Sequence, residues 1–511
     1  MSLRGEPRTG KGAEKMAAYL VALDQGTTSS RAVVFSDRGQ VISSCNVEFP
    51  QHYPHPGWVE HDPRDILDSQ VKALKEAVRL SGVDVGEIAA IGITNQRETT
   101  FLWDRQTGEC VGNAIVWQCR RTAPIVDQLV RDGNSDMIRS RTGLVPDAYF
   151  SGTKLKWLLD TYNLRDKARN GELCFGTVDS FLCWNLLEGR PHVTDATNAG
   201  RTMLFNLEKQ CWDPDLLKLL GIPKECLPEV VDTAGPIGRL DPEILGRPIP
   251  VTAMAGDQHA SLFGQACLKE GSVKNTYGTG CFMLMNTGSK PVMSENGLLT
   301  TMAWRINGQP TYALEGSVFM GGATIQWLRD ELKIIENAAE SEGLAQSVNS
   351  TGGVYLVPAF TGLGAPWWDM YSRGILVGLT RGTGRPHIVR AALEAIAYQS
   401  ADLMEAMIKD SGTAPVQLQV DGGASANSFL MQFQADICGI PVVRPRVLET
   451  TALGAALLAG LGAGVYSTVE ETASIWQRDL AFAPRMVEAD RKRNMDGWHR
   501  AVERSLRWAQ E

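Results

Sequence analysis

An α/β protein with two related lobes facing a cleft is the fold class that this sequence predicts, and three observations predict it. A hydroxyl-rich turn, Asp24-Gln25-Gly26-Thr27-Thr28-Ser29-Ser30-Arg31, sits between the apolar run 19–23 and the β-branched run 32–35. A weaker echo of strand, turn and strand returns at 272–277, Gly278-Thr279-Gly280 and 281–285. The chain has 511 residues, too long for one typical core and suited to two domains of roughly 250 residues.

Taken in order, residues 1–16 are expected to form an unstructured leader, because their first fifteen positions are polar and basic with no apolar segment of a secretory signal. Residues 62–80 read as a helix with Asp62 as N-cap and Pro63 at its first position, and 88–94 as a buried strand. The segment 153–160 reads as helical, whereas 232–250, crowded with Pro and Gly, reads as a loop ahead of a domain boundary near 266. Further on, 322–332 reads as a helix with a glycine-rich start. The strand 416–420 runs into Asp421-Gly422-Gly423-Ala424-Ser425-Ala426-Asn427 and then a helix over 428–435. Residues 450–469 carry no charge, yet Gly454, Gly460, Gly462 and Gly464 keep the segment weakly hydrophobic, so it reads as a buried, closely packed helix and not a membrane span.

Composition narrows the function classes. The net charge is −8 with no Lys/Arg-dense run, which argues against nucleic acid or an anionic membrane as the main partner. The ten cysteines are scattered without a Cys-x-x-Cys, the pattern of reduced thiols in a cytoplasmic protein. His52 and His55 have no third metal ligand in register and read as a surface loop.

The first turn offers phosphate chemistry. Exposed backbone N–H groups make an anion-binding concavity, and a strand-end carboxylate such as Asp24 holds a cation that shields phosphate charge. No helix follows and no Gly-x-Gly spacing appears, so the turn is neither a P-loop nor a dinucleotide fingerprint. The glycines at 422–423 free the backbone to approach a ligand at a helix N-terminus, where Asn427 is placed to read a polar edge. Asp257 follows the apolar run 251–256, which points it either into the cleft as a general base or onto the next helix as a cap.

Several runs together resemble the FGGY family of carbohydrate kinases, in order from about residue 17 to 511. They are the turn 24–31, Gly92-Ile93-Thr94-Asn95-Gln96-Arg97-Glu98-Thr99, the run 115–122 around Trp117, Ala255-Gly256-Asp257-Gln258, Tyr277-Gly278-Thr279-Gly280-Cys281-Phe282 and Asp421-Gly422-Gly423-Ala424. A further signature spans 374–379 and 387–394. The resemblance implies two duplicated ribonuclease-H-like, actin/hexokinase-like domains, 17–266 and 267–511, facing a central cleft. Arg97-Glu98 after a buried strand points within the family to glycerol, phosphorylated by ATP with Mg²⁺ to sn-glycerol 3-phosphate in the cytoplasm.

By position, the resemblance implies that Arg97, Glu98, Tyr149, Asp257 and Gln258 hold the three hydroxyls while Trp117 and Phe282 wall the carbon chain. It implies Asp257 as the base, Asp24 for the metal, and Thr27, Thr28, Ser29 and Arg31 for the phosphates. On the second domain it implies Thr279, Gly322, Gln326, Gly423 and Asn427 around the nucleotide. A homodimer or homotetramer is implied in the same way. The stretch 240–250 is short, with only Gly246 and Arg247, which argues against the fructose 1,6-bisphosphate loop of enterobacterial relatives; no histidine lies within 193–258, and His259 is expected to be buried beside the site. Two rival readings are a kinase of another small polyol or ketose and, from a different class, an actin-like ATPase whose product is a shape change.

Overall fold

The computed structural model describes residues 18–509, so the expected leader lies outside the described residues. Thirteen strands form one mixed sheet. In chain order they are β1 (Tyr19–Gln25), β2 (Ser29–Ser36), β3 (Val41–Glu48), β4 (Ile88–Asn95), β5 (Ala234–Arg239), β6 (Pro250–Gly256), β7 (Val273–Tyr277), β8 (Cys281–Gly288), β9 (Leu299–Ile306), β10 (Gln309–Val318), β11 (Leu418–Asp421), β12 (Val442–Pro445) and β13 (Arg478–Phe482).

The pairing repeats. In the first half β3, β2 and β1 run antiparallel to their neighbours, and β4 and β6 then add in parallel beside β1. In the second half β10, β8 and β7 do the same, followed by parallel β11 and β12. The same five-strand order twice in one chain is a duplication, and the fold is the two-unit, ribonuclease-H-like class expected. The halves join through β5 and β9, whose ladder touches at Ala234 and Ile306.

Strand β1 shows why the centre of each half is apolar on both faces. Val21 and Leu23 pack with Ile66, Ala73 and Leu74 of the helix Pro63–Ser81, while Leu20 and Ala22 pack with Ala452, Ala455 and Ala456 of the helix Thr450–Gly462. The first helix starts as its sequence dictates, with the Asp62 carboxylate accepting the Arg64 N–H at 2.8 Å and Pro63 at the first position. The second is the buried, uncharged segment. Its glycines are there for contact: a Cβ on Gly454 would strike the Ala260 carbonyl oxygen, and one on Gly264 the Thr450 carbonyl oxygen. Thus the helix Asp257–Gly264, which follows the last strand of the first repeat, crosses Thr450–Gly462, which follows the last strand of the second, backbone against backbone. No helix among the described residues is long and apolar enough to cross a membrane.

One expectation fails. Residues 232–250 are not a loop: they hold β5 and a short helix, Pro242–Leu245. The β5–β6 ladder pairs at Ala234 and resumes at Gly238, so Pro236, with no N–H to donate, sits where the pairing is interrupted. Proline-rich composition marked the interruption and hid the strand around it.

Candidate active site

Register brings the first cluster together. Asp24 on β1 is level with Thr94 on β4, which is level with Ala255 on β6. The residues just beyond these carboxyl ends therefore emerge side by side, where open α/β sheets bind ligands: the turn after Asp24, Arg97 and Glu98 after β4, and Asp257 after β6.

The turn is held from below. Gly26 N–H bonds the Ser29 carbonyl at 2.9 Å, Gln96 Nε2 donates to the Gly26 carbonyl and to Gln25 Oε1, each at 3.1 Å, and Trp117 Nε1 donates to Thr27 Oγ1 at 3.0 Å. Thr28 is left exposed and Ser29 half-buried. Burial pushes the Asp24 carboxyl up to about 6, against the opposing charge of Arg31 and with a further upward push from Asp257. The two carboxylates are thus close enough to feel each other's charge. Arg31 itself reaches across to Glu449, ahead of the helix Thr450–Gly462.

Behind Asp257 runs a buried chain of alternating charge. Arg97 Nε lies 3.2 Å from Asp257, and its two terminal nitrogens form a fork on Glu315 at 2.6 and 2.9 Å. Glu315 also meets Arg201 at 3.2 Å, and Arg201 Nε donates to Glu98 at 2.6 Å. Burial works against the charged form of Glu315, yet Arg201 and Arg97 outweigh it and hold that carboxyl well below the usual range. For Asp257 burial dominates and raises the pKa, with Arg97 opposing it. Glu98 is raised by burial too, and it adopts a positive φ of 60°. Its carbonyl is fixed there by Thr100 Oγ1 at 3.0 Å, Ser151 Oγ at 3.1 Å and Lys154 Nζ at 3.2 Å.

Aromatic rings border this chain. Trp117 meets Tyr149 edge-on at 5.6 Å and Phe282 at 6.5 Å, and Arg201 lies over the Tyr149 ring at 5.5 Å. Phe282 is on β8, so the cluster spans both halves. Gln258 is buried with its Oε1 on Lys274 Nζ at 2.5 Å. His259 is buried as expected, its ring beside Arg97 and Gly256, and burial keeps it neutral.

The second-half residues form a separate group. The Gly278 and Thr279 carbonyls accept N–H groups of Gly322 and Ala323 at 2.8 and 3.1 Å, which seats the Thr279 turn on the first turn of the helix Gly322–Asp330. A Cβ on Gly322 would lie 2.7 Å from the Gly278 carbonyl and 4.0 Å from Ala424, so the Gly422-Gly423 loop closes the same corner. Thr279, Gln326 and Gly423 are exposed there. Asn427 has a job that the sequence reading did not give it: Oδ1 caps the helix Ser428–Cys438 at Leu430 N–H, 2.9 Å, while Nδ2 donates to Ser341 at 3.3 Å.

Sequence reasoning passed over Arg201, Glu315 and Lys274. A signal for Glu315 was present, a lone carboxylate inside the apolar run Tyr312-Ala313-Leu314-Glu315-Gly316, since a charge buried in a strand requires a partner. Arg201 gave none.

The N-terminal and C-terminal domain models of the FGGY family of carbohydrate kinases match residues 19–264 and 273–463. Glycerol kinase of Caldanaerobacter subterraneus subsp. tengcongensis is 59% identical over 97% of this chain and 100% of its own length. Glycerol kinase 2 of Thermotoga maritima is 60% identical over 96% and 99%. Among solved structures, Plasmodium falciparum glycerol kinase with ADP matches with a TM-score of 0.90 at 35% identity, covering 96% of this chain and 98% of that one. Gluconate kinase from Lactobacillus acidophilus, at 24% identity and a TM-score of 0.87, shares the fold. With both domain models matched in order and identities of this size along almost its whole length, the chain belongs to the FGGY family of carbohydrate kinases.

Proposed function

We propose that this protein is an enzyme that transfers the terminal phosphoryl group of ATP to glycerol, forming sn-glycerol 3-phosphate and ADP. The observation that carries the reading is the constellation at the β4 and β6 ends: Arg97 held between Asp257 and Glu315, Glu98 fixed by Arg201, and the rings of Trp117, Tyr149 and Phe282 alongside. A three-carbon triol presents hydroxyls along one edge and C–H groups along the other, and this cluster offers a matching polar edge and apolar wall. The likeness to chains named glycerol kinase supports the same substrate.

Asp257 accepts the proton of the attacking hydroxyl as its oxygen forms the new bond to phosphorus and the bond to ADP breaks. Burial raises its pKa and makes the carboxylate more receptive to a proton, while Arg97 opposes that rise and favours the ionised form. Arg97, Glu98, Tyr149, Asp257 and Gln258 orient the hydroxyls. Thr27, Thr28, Ser29 and Arg31 receive the phosphates, and Thr279, Gly322, Gln326, Gly423 and Asn427 surround the nucleotide. The donor set fits Mg²⁺: Asp24 is a strand-end carboxylate beside a second one, with exposed hydroxyls next to it, and hard oxygen donors are what this ion takes. When bound through Asp24 it supplies neutralisation of phosphate charge. The division at 17–266 and 267–511, a cytoplasmic location and a homodimer or homotetramer complete the reading; its support is the duplicated topology, the free cysteines and the family.

ADP release measured with Mg·ATP and, in turn, no acceptor, glycerol, ribulose, xylulose and erythritol tests the proposal. Glycerol is expected to stimulate most. Preference for a ketose, or release that ignores every acceptor as in an actin-like ATPase, refutes it.

A further inference from the structure

A fully buried lysine on the first strand of the second half has no part in the scheme above. Lys274 lies within β7, and its ammonium donates to Gln258 Oε1 at 2.5 Å and to Thr276 Oγ1 at 2.8 Å. Gln258 belongs to the helix Asp257–Gly264 of the first half, so the contact crosses from one repeat to the other at the residue next to Asp257. Around the ammonium stand the carboxylates of Asp421, Asp257 and Glu315, the guanidinium of Arg97, the His259 imidazole and the Cys267 thiol. The acidic groups hold a cation in a place where burial alone discharges it.

The chemistry of the pair fixes a direction. An ammonium carries donors and no acceptor, so only the oxygen of a primary amide can face it. With Oε1 committed to Lys274, the donor end of the amide, Gln258 Nε2, is the end left for a ligand, and the hydrogen bonds of the described residues engage this side chain through Oε1 alone. A glutamine at this position without the lysine presents either end to a ligand; with it, the ligand meets a donor.

We propose that Lys274 is a positioning residue for the substrate alcohol: by holding Gln258 Oε1 it commits Gln258 to donate an N–H to a substrate hydroxyl oxygen, leaving that hydroxyl's own proton directed to a carboxylate. The inference rests on the glycerol kinase reading. It assigns the lysine no contact with substrate and no proton transfer.

Steady-state kinetics of three variants test it. Gln258→Glu keeps an oxygen for Lys274 but replaces the donor by an acceptor, and it raises the glycerol KM by tenfold or more with little change in the ATP KM. Lys274→Met frees the amide to turn and raises the glycerol KM by roughly fivefold, the worth of one neutral hydrogen bond. In Lys274→Met/Gln258→Leu the lysine change adds less than twofold to the KM of Gln258→Leu alone. A lysine that merely stabilises the fold lowers the melting temperature and leaves these ratios unmoved. The proposal is overturned if Gln258→Glu binds glycerol within twofold of wild type, a result that stands even where Lys274→Met does not fold. It is overturned too if the effects of the two sites multiply. Wild-type protein without glycerol-dependent ADP release refutes the parent reading instead, so the two failures are told apart.

Discussion

The same five-strand unit occurs twice in this molecule, and its loops are furnished in opposite ways. In the first half the ends of β1, β4 and β6 carry Asp24, then Arg97 with Glu98, then Asp257: charged groups, the middle pair buried and the two aspartates half-buried. At the matching ends of β7 and β11 the second half places Gly278-Thr279-Gly280 and Gly422-Gly423, short neutral turns that leave backbone amides and open surface. A shared fold therefore dictates where a site lies, and the loop residues decide what it does. In the proposed function one half is furnished for reaction, the other for accommodation. Glu315, Lys274 and the β11-end Asp421 are the exceptions, second-half charges that meet first-half residues.

If that contrast is right, the largest loss comes from the reactive half. Asp257→Asn is expected to lower kcat by about a thousandfold while the far-ultraviolet spectrum and melting temperature stay near wild type. A variant retaining a tenth of the turnover removes Asp257 from the role of base. Next is Glu315→Leu, which takes from Arg97 its forked carboxylate and from Arg201 one of its two carboxylate partners in the interior. Breaking a buried pair in this way costs about 3 kcal/mol or more, read as a lower urea midpoint. A midpoint that does not move shows that the charge chain carries no stability.

Histidine titration separates the halves by sign. His61 in the first half is fully buried, and burial pulls its pKa from 6.5 to about 4, with Gln51 Oε1 on its Nε2 at 2.7 Å. Below the unfolded value the unfolded chain binds a proton that the folded one refuses. Stability is therefore complete above pH 6.5 and drains as the pH falls towards 4, by no more than about 3 kcal/mol. In the second half His499 donates to Asp402 at 2.8 Å, and that bond raises its pKa. Its contribution is present below the unfolded value and is lost as the pH climbs through the folded one. Hydrogen exchange between pH 7 and 5 is expected to loosen the region around His61 and not that around His499, and His61→Gln should reduce the acid dependence, with His192 and His259 supplying the rest. The smallest effect lies at the crossing between halves: Gly454→Ala drives a methyl into the Ala260 carbonyl and should cost about 2 kcal/mol of thermal stability.

Local chemistry was legible in the sequence. Asp62 and Pro63 announced the start of the helix Pro63–Ser81, the hydroxyl-rich turn lay where strands β1 and β2 meet, and four glycines in an uncharged segment foretold a helix pressed against another backbone. Arg97, Glu98 and Asp257 were singled out through family resemblance, and the fold brings them together. What stayed hidden depends on distance along the chain. Arg201 and Glu315 are 114 residues apart and meet only because the sheet closes between β5 and β9. Likewise, β5 was concealed by Pro236, whose local signal says loop whatever the neighbouring strand supplies.

The central claim is that the charged strand ends of one half and the open turns of the other bracket a single reaction. A crystal structure with glycerol, Mg²⁺ and a non-hydrolysable ATP analogue tests it most directly. The account predicts the alcohol against Arg97 and Glu98, the adenosine beside Thr279 and Gly423, and a glycerol hydroxyl lying between Asp257 and the terminal phosphorus. An alcohol bound elsewhere, or a terminal phosphate remote from Asp257, contradicts it.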